Sequence, residues 1–153
     1  MKTFPKLMLL FGLTFLLLTS SSWAQGRTAS RADRGRIHYS TLYKPETVEK
    51  IRGEVVSLGK TISGNGRDMC EYLTLKTSKG NVWVILKPQS YKPAVNLNIK
   101  PSDQLEITGS RIMLPGKTSL IAAKVQIGND IMLLRDVKTG RPAWAVGDDW
   151  HVR

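Results

Sequence analysis

Apolar and polar residues alternate along most of the chain from Thr47 onward. A period of two is typical of β-strands with one buried face, and Gly, Pro, Asn and Asp, which favour turns, separate the runs. The pattern predicts six strands and no helix long enough to cover a sheet. The runs are Val48–Leu58, Cys70–Thr77, Val82–Lys87, a fourth around Leu105–Gly109, Ser119–Ile127 and Ile131–Leu134.

Alternation also assigns side-chain faces, because successive residues of a strand point to opposite sides of the sheet. In the first run Ile51, Gly53 and Val55 share a face. In the fifth run the predicted shared face consists of Ile121, Ala123, Val125 and Ile127.

Breaks in the alternation predict the connections between strands. Gly80-Asn81 predicts a hairpin turn between the second and third runs, and residues 63–68 predict a loop. Residues 88–102 contain three prolines and predict a long irregular connection with at most one helical turn.

The order of these elements predicts the fold class. A three-strand meander, an irregular crossing and two further strands are the order of an all-β, five-stranded OB-like barrel, which a short sixth strand extends. An SH3-like barrel and a small open sandwich remain alternatives. We expect the domain at residues 46–145 and a C-terminal tail at 146–153.

The first 24 residues are typical of a cleavable signal peptide. Lys2 and Lys6 precede an apolar run at Leu7–Leu18, and Ser22 and Ala24 occupy the positions before the cleavage site. An uncleaved anchor is disfavoured, because a membrane span needs about 20 apolar residues. We therefore predict an exported protein, periplasmic or secreted, with no transmembrane span after cleavage.

Charge suggests the kind of partner. The formal charge is +11, and it falls to +9 when Lys2 and Lys6 are removed with the leader. Residues 25–45 are rich in Arg, Ser and Thr, which favours a basic flexible arm able to meet anionic polymers, membranes or nucleic acid. A solvated linker is an equally good interpretation of the arm.

The residues that carry chemistry are few. Beyond the leader the chain has His38 in the arm and His151 near the end, so no hydrolytic triad can be assembled on a rigid element. Asp148, Asp149 and His151 lack a scaffold for a metal. The single cysteine, Cys70, is predicted to be a half-buried, inert thiol. We expect no catalytic residues, no metal, no cofactor and no enzymatic activity.

A possible ligand surface lies near the second and third strands. Single-stranded nucleic acid binding on an OB barrel uses cations with aromatic rings for stacking, but core packing is the favoured explanation of Trp83. The residues concerned are Tyr72, Trp83 and Tyr91, with Lys76, Lys87 and Lys92.

Several short motifs, in this order and spacing, form a recognisable set. The set resembles the C-terminal domain shared by the magnetosome proteins MamS and MamX and by many periplasmic proteins, and it spans about residues 46–145. The resemblance implies an OB-like fold. MamX-like proteins also carry a haem-binding part, but this chain has no Cys-x-x-Cys-His sequence, so no redox role carries over. The motifs are Gly53-Glu54-Val55, residues 82–91 (VWVILKPQSY), residues 105–111 (LEITGSR), residues 121–125 (IAAKV), Leu134-Arg135-Asp136 and Gly140-Arg141-Pro142-x-Trp144.

The last two motifs have a structural and a functional interpretation. Structurally, Arg135 and Asp136 pair to fix the last strand, while Gly140 and Pro142 bend the chain so that Trp144 caps the barrel. Gly53 and Gly109 are also expected to be structural. In the functional interpretation, which we rank second, Tyr91, Arg111 and Trp144 line a ligand groove.

Together these observations predict a periplasmic, non-enzymatic OB-like binding module for a protein partner or an anionic envelope component. A binder of single-stranded nucleic acid or another polyanion is the alternative.

Overall fold

Among the residues that the structure describes, six strands follow two short 3-10 turns at Tyr39–Leu42 and Pro45–Thr47. A computed structural model describes residues 39–62 and 68–145. The strands are β1 (Val48–Ile62), β2 (Met69–Thr77), β3 (Gly80–Pro88), β4 (Gln104–Leu114), β5 (Lys117–Ile127) and β6 (Asp130–Leu133).

The first five strands close into a barrel. Antiparallel pairs join β1 to β2, β2 to β3, β1 to β4 and β4 to β5, and the parallel pair of β3 with β5 completes the ring. The short strand β6 adds to β5. This is the strand order of an OB-type barrel, so the predicted all-β fold is confirmed.

Two details of the β1–β3 region differ from the prediction. β1 continues to Ile62, because β2 pairs with it as far as the Ile62–Met69 pair. The β2–β3 turn consists of Ser78 and Lys79, and Gly80 with a φ of 112° already begins β3.

The barrel interior is filled by one cluster of apolar side chains. Ile51 and Val55 reach it from β1 as predicted, and so do Val125 and Ile127 of the face predicted for β5, whereas the first half of that face is wrong. The register with β4 shifts by one residue at Thr108/Gly109, and this bulge reverses the alternation along β5. Leu120, Ala122 and Val125 therefore face inward, whereas Ile121 and Ala123 face outward.

A second apolar cluster lies on the outside of the barrel. Ile85, Ile112 and Ile121 form it together with Tyr43. Residues 39–45, which the sequence analysis assigns to the arm, thus pack against the barrel, and Tyr43 is buried. We call residues 39–47 the covering segment.

The predicted signal peptide, residues 25–38 of the arm and the tail at 146–153 lie outside the described residues. Within the part that is described, no helix is long and apolar enough to cross a bilayer.

Candidate binding surfaces

The structure brings Tyr91 and Trp144 together at one end of the barrel. Their ring centroids are 5.2 Å apart, and both rings pack against the interior cluster. Trp144 also lies over the guanidinium of Arg135, with 4.6 Å between the ring centroid and Cζ. Trp144 therefore caps the barrel.

Arg135 closes the seam where β3 and β5 separate. Its Nη1 donates hydrogen bonds of 3.0 Å to the carbonyls of Leu86 and Ala122, one from each strand. Burial lowers the pKa of Arg135 to about 10, which leaves the side chain charged at neutral pH. By donating to one carbonyl of each strand, the buried Arg135 cation holds β3 and β5 together.

Asp136 organises the following loop instead of pairing with Arg135 as the sequence analysis proposes. Its Oδ1 accepts hydrogen bonds from the backbone of Lys138 and Thr139 and from the Thr139 hydroxyl. The bonds from Thr139 contribute most to lowering the Asp136 pKa. The loop then turns at Gly140, with a φ of 75°, and Pro142 bridges back to Arg135.

Lys87 is buried rather than presented to a ligand. Its Nζ binds Glu71 Oε2 at 2.9 Å and donates to the carbonyl of Tyr91 at 3.2 Å. These contacts tie the connection after β3 to β2.

Trp83 lies on the outside of β3, at a distinct place from Tyr91 and Trp144. Tyr72 and Tyr39 approach its ring, with centroids 4.9 Å and 6.3 Å away, and the Lys117 ammonium lies 4.6 Å from the ring centroid. Because its neighbours already occupy the surroundings of the ring, this arrangement favours packing over stacking on a nucleic-acid base.

Arg111 of β4 contacts residues at the start of β1 and just before it. Its guanidinium forms an ion pair with Glu49 of β1, and its carbonyl accepts a hydrogen bond from Thr47. Of the predicted groove, Tyr91 and Trp144 are in contact, whereas Arg111 contacts Glu49 and Thr47.

Cys70 belongs to the outer cluster. Burial raises the pKa of its thiol to about 11. The protonated thiol is a poor nucleophile, so Cys70 is inert at neutral pH.

The structure reveals one group of polar residues that the sequence analysis does not identify. Thr108 of β4 is directly opposite Lys50 of β1 on one side and Lys124 of β5 on the other. Directly paired residues share a face of the sheet, so the three form a row, here called the basic row. The Thr108 hydroxyl is buried and has no hydrogen-bond partner among the described residues.

Glu106 lies beside the basic row. It binds Lys50 Nζ at 2.8 Å, and it accepts from Arg52 Nη2 at 2.6 Å and Nε at 2.7 Å. Hydrogen bonds from Lys50 and then Arg52 hold the pKa of Glu106 below its usual range. Lys124 has no ion pair among the residues that the structure describes.

Residues 39–62 and 68–145 contain no group of three or more His, Cys, Asp or Glu side chains that could hold a metal ion. The candidate set Asp148, Asp149 and His151 lies outside these ranges.

Comparison with known proteins agrees with the fold. No curated protein matches the chain. Residues 47–132, which contain all of β1 to β5 and β6 as far as Met132, match the MamS/MamX magnetosome protein family. That match covers more than half of the sequence and confirms the resemblance, so the chain belongs to the MamS/MamX magnetosome protein family.

Proposed function

We propose that the protein is exported and acts in the envelope as a non-enzymatic module that binds the anionic groups of a protein or polymer. The observation that carries this proposal is the basic row, where an unpartnered Thr108 hydroxyl lies between Lys50 and Lys124. A phosphate, sulfate or carboxylate oxygen would accept from the ammonium groups and, by displacing the side chains that cover the buried hydroxyl, from Thr108 as well.

The neighbouring charges permit such binding. Arg52 already binds Glu106 through two N–H groups, so Lys50 can leave this carboxylate for a ligand without leaving it unpaired. Lys124 needs no rearrangement of an ion pair. Export of a basic protein would bring this surface to anionic envelope components.

The test uses the protein recovered after export with its own leader, binding to immobilised dextran sulfate at increasing salt. The double change Lys50→Ala and Lys124→Ala should weaken binding by roughly tenfold, because each surface cation contributes up to about 1 kcal/mol. A matched control removes two exposed lysines from the β2–β3 hairpin, Lys76→Ala and Lys79→Ala.

Thr108→Val separates a specific site from general attraction, because it removes the hydroxyl and leaves every charge in place. We expect it to weaken binding severalfold without changing the salt dependence. Binding that does not respond to salt, or that falls equally in the control, would contradict the proposal.

The nucleic-acid alternative is examined with the same protein by fluorescence anisotropy with single-stranded oligonucleotides. Because Tyr39, Tyr72 and Lys117 surround Trp83, we expect no binding that depends on this ring. A substantial loss of oligonucleotide binding in Trp83→Ala, with the fold intact, would favour the alternative.

A further inference from the structure

The distal part of the β1–β2 hairpin exposes large apolar side chains on one face. Leu58, Lys60 and Ile62 alternate along β1 and so share a face, and Met69 lies directly opposite Ile62. Exposure is 43% for Leu58, 63% for Ile62 and 37% for Met69. We call these four residues the hairpin row.

This part of β1 has one neighbour in the sheet. β4 pairs with β1 over Val48–Glu54, whereas the residues from Ser57 to Ile62 pair with β2. The apolar side chains of the hairpin row therefore contribute little to the barrel core. An exposed apolar row of this kind is typical of a contact surface.

Lys60 gives the row a positive charge. The residue opposite it, Glu71, is bound to the buried ammonium of Lys87 at 2.9 Å. Lys60 itself is exposed and has no ion pair within the described part of the chain. Along β1 the row therefore consists of an apolar residue, a cation and a second apolar residue. Met69 lies opposite the second apolar residue, Ile62.

This order fits a lipid surface better than a protein partner. Charged residues are depleted from the centres of protein interfaces, where Lys60 would lie between two buried apolar groups. At a bilayer surface, apolar side chains enter the acyl boundary while a lysine remains among anionic headgroups.

We propose that the hairpin row is a membrane-contact site, which seats the protein on a bilayer containing anionic phospholipid. Leu58, Ile62 and Met69 enter the bilayer surface, and Lys60 meets the phosphates. The inference shares with the proposed function the export of the chain, but it depends on different residues from the basic row.

The experiment is flotation of the exported protein with phosphatidylcholine vesicles that contain or lack phosphatidylglycerol. The wild-type protein should float with the anionic vesicles. The double change Leu58→Ser and Ile62→Ser should reduce binding by about tenfold or more, because it removes two large apolar side chains from the contact. The control is Met113→Ser on β4, since Met113 is 79% exposed outside the row.

A second variant tests the cation. Lys60→Ala should lower binding to anionic vesicles severalfold and leave the melting temperature unchanged, because the residue is exposed. The melting temperature of the Leu58→Ser and Ile62→Ser protein is measured beside it, so that a loss of fold is recognised.

The inference would be overturned by no flotation of the wild-type protein, by unchanged flotation of the double serine variant, or by an equal loss in Met113→Ser. Loss of flotation only in the Lys50→Ala and Lys124→Ala protein would also overturn it, and would leave the proposed function standing. Flotation that depends on the hairpin row without any binding to dextran sulfate would support the membrane contact and contradict the basic-row proposal.

Discussion

At the scale of single residues, Arg135 shows how a motif can be structural. Its guanidinium is buried, stacks on Trp144 and donates to one carbonyl on each side of the β3–β5 seam. The desolvation of this cation costs free energy, but the two carbonyls would be left without these donors if it were removed. The free-energy cost of leaving both carbonyls unpaired should exceed the desolvation cost of the cation.

We therefore expect Arg135→Met to lower the free energy of unfolding by about 2 to 4 kcal/mol. Urea denaturation followed by tryptophan fluorescence measures this change. Lys138→Met is the control, because this neighbouring side chain is exposed and its loss should cost less than about 0.5 kcal/mol. Equal stability of the two variants would show that the hydrogen bonds of Arg135 between β3 and β5 do not stabilise the fold.

The buried thiol of Cys70 should make the protein less stable at alkaline pH. Burial raises its pKa from 9.0 to about 11, so between these values the folded state holds a proton that the unfolded state releases. Stability should fall as pH rises through this window, by about 3 kcal/mol in all. Tyr39 and Tyr43, whose pKa values burial also raises, act in the same direction at higher pH.

The check is a series of urea denaturation curves from pH 8 upward with wild type and Cys70→Ala. The variant should lose stability less steeply above about pH 9. Parallel curves for the two proteins would mean that the thiol titrates as it does in the unfolded chain. Slow alkylation of Cys70 at neutral pH is the accompanying expectation.

At the scale of strands, two glycines mark places where backbones approach closely. A Cβ on Gly109 would overlap the Ile121 carbonyl of β5, and one on Gly53 would overlap the Lys76 carbonyl of β2. The sequence motifs predict a structural role for both glycines. The strand pairing supplies the reason, because the backbone of a neighbouring strand lies too close to each glycine to leave room for a side chain.

Gly109→Ala should therefore destabilise the protein by about 3 kcal/mol, through overpacking against backbone that cannot move aside. Gly116→Ala is an informative comparison, since Gly116 has a φ of 72° but open space around it. It should cost about 1 to 2 kcal/mol, from backbone strain alone. Thermal unfolding of both variants decides the order, and the reverse order would contradict the packing argument.

Strand existence follows from the sequence, whereas the direction of each side chain depends on pairing. Alternation correctly places Ile51 and Val55 in the interior. The same rule fails for Ile121 and Ala123 in the first half of β5, because the bulge opposite Thr108 and Gly109 arises between strands and leaves no signal in β5 alone. The basic row is missed for a related reason. Lys50, Thr108 and Lys124 are distant in sequence and become neighbours only through the register.

At the scale of the whole molecule, the order of strands predicts barrel closure but does not predict that the covering segment packs on the outside of the barrel. Most of the covering segment belongs to the Arg-, Ser- and Thr-rich stretch at residues 25–45, which is typical of an arm, and no strand alternation marks Tyr43 as buried. Its burial follows from the apolar residues that β3, β4 and β5 place outside the barrel. Such a surface needs a cover, and the segment before β1 supplies it.

Tyr43 joins both ends of the described chain. Its hydroxyl donates to the Val137 carbonyl at 2.9 Å, and its ring lies against Gly140, where a side chain would overlap it. The covering segment and the loop after β6 should therefore open together. Tyr43→Ala should cost about 3 kcal/mol or more, since it empties a large buried site.

Tyr43→Phe is the matched control, because it keeps the ring and removes one hydrogen bond, at a cost of about 1 kcal/mol. Hydrogen exchange measured by mass spectrometry distinguishes the two effects along the chain. In Tyr43→Ala, peptides from residues 39–47 and 136–142 should lose protection in parallel, while the strands of the barrel keep theirs. Loss of protection confined to residues 39–47 would mean that the two segments are independent, and that the outer cluster has two separate covers.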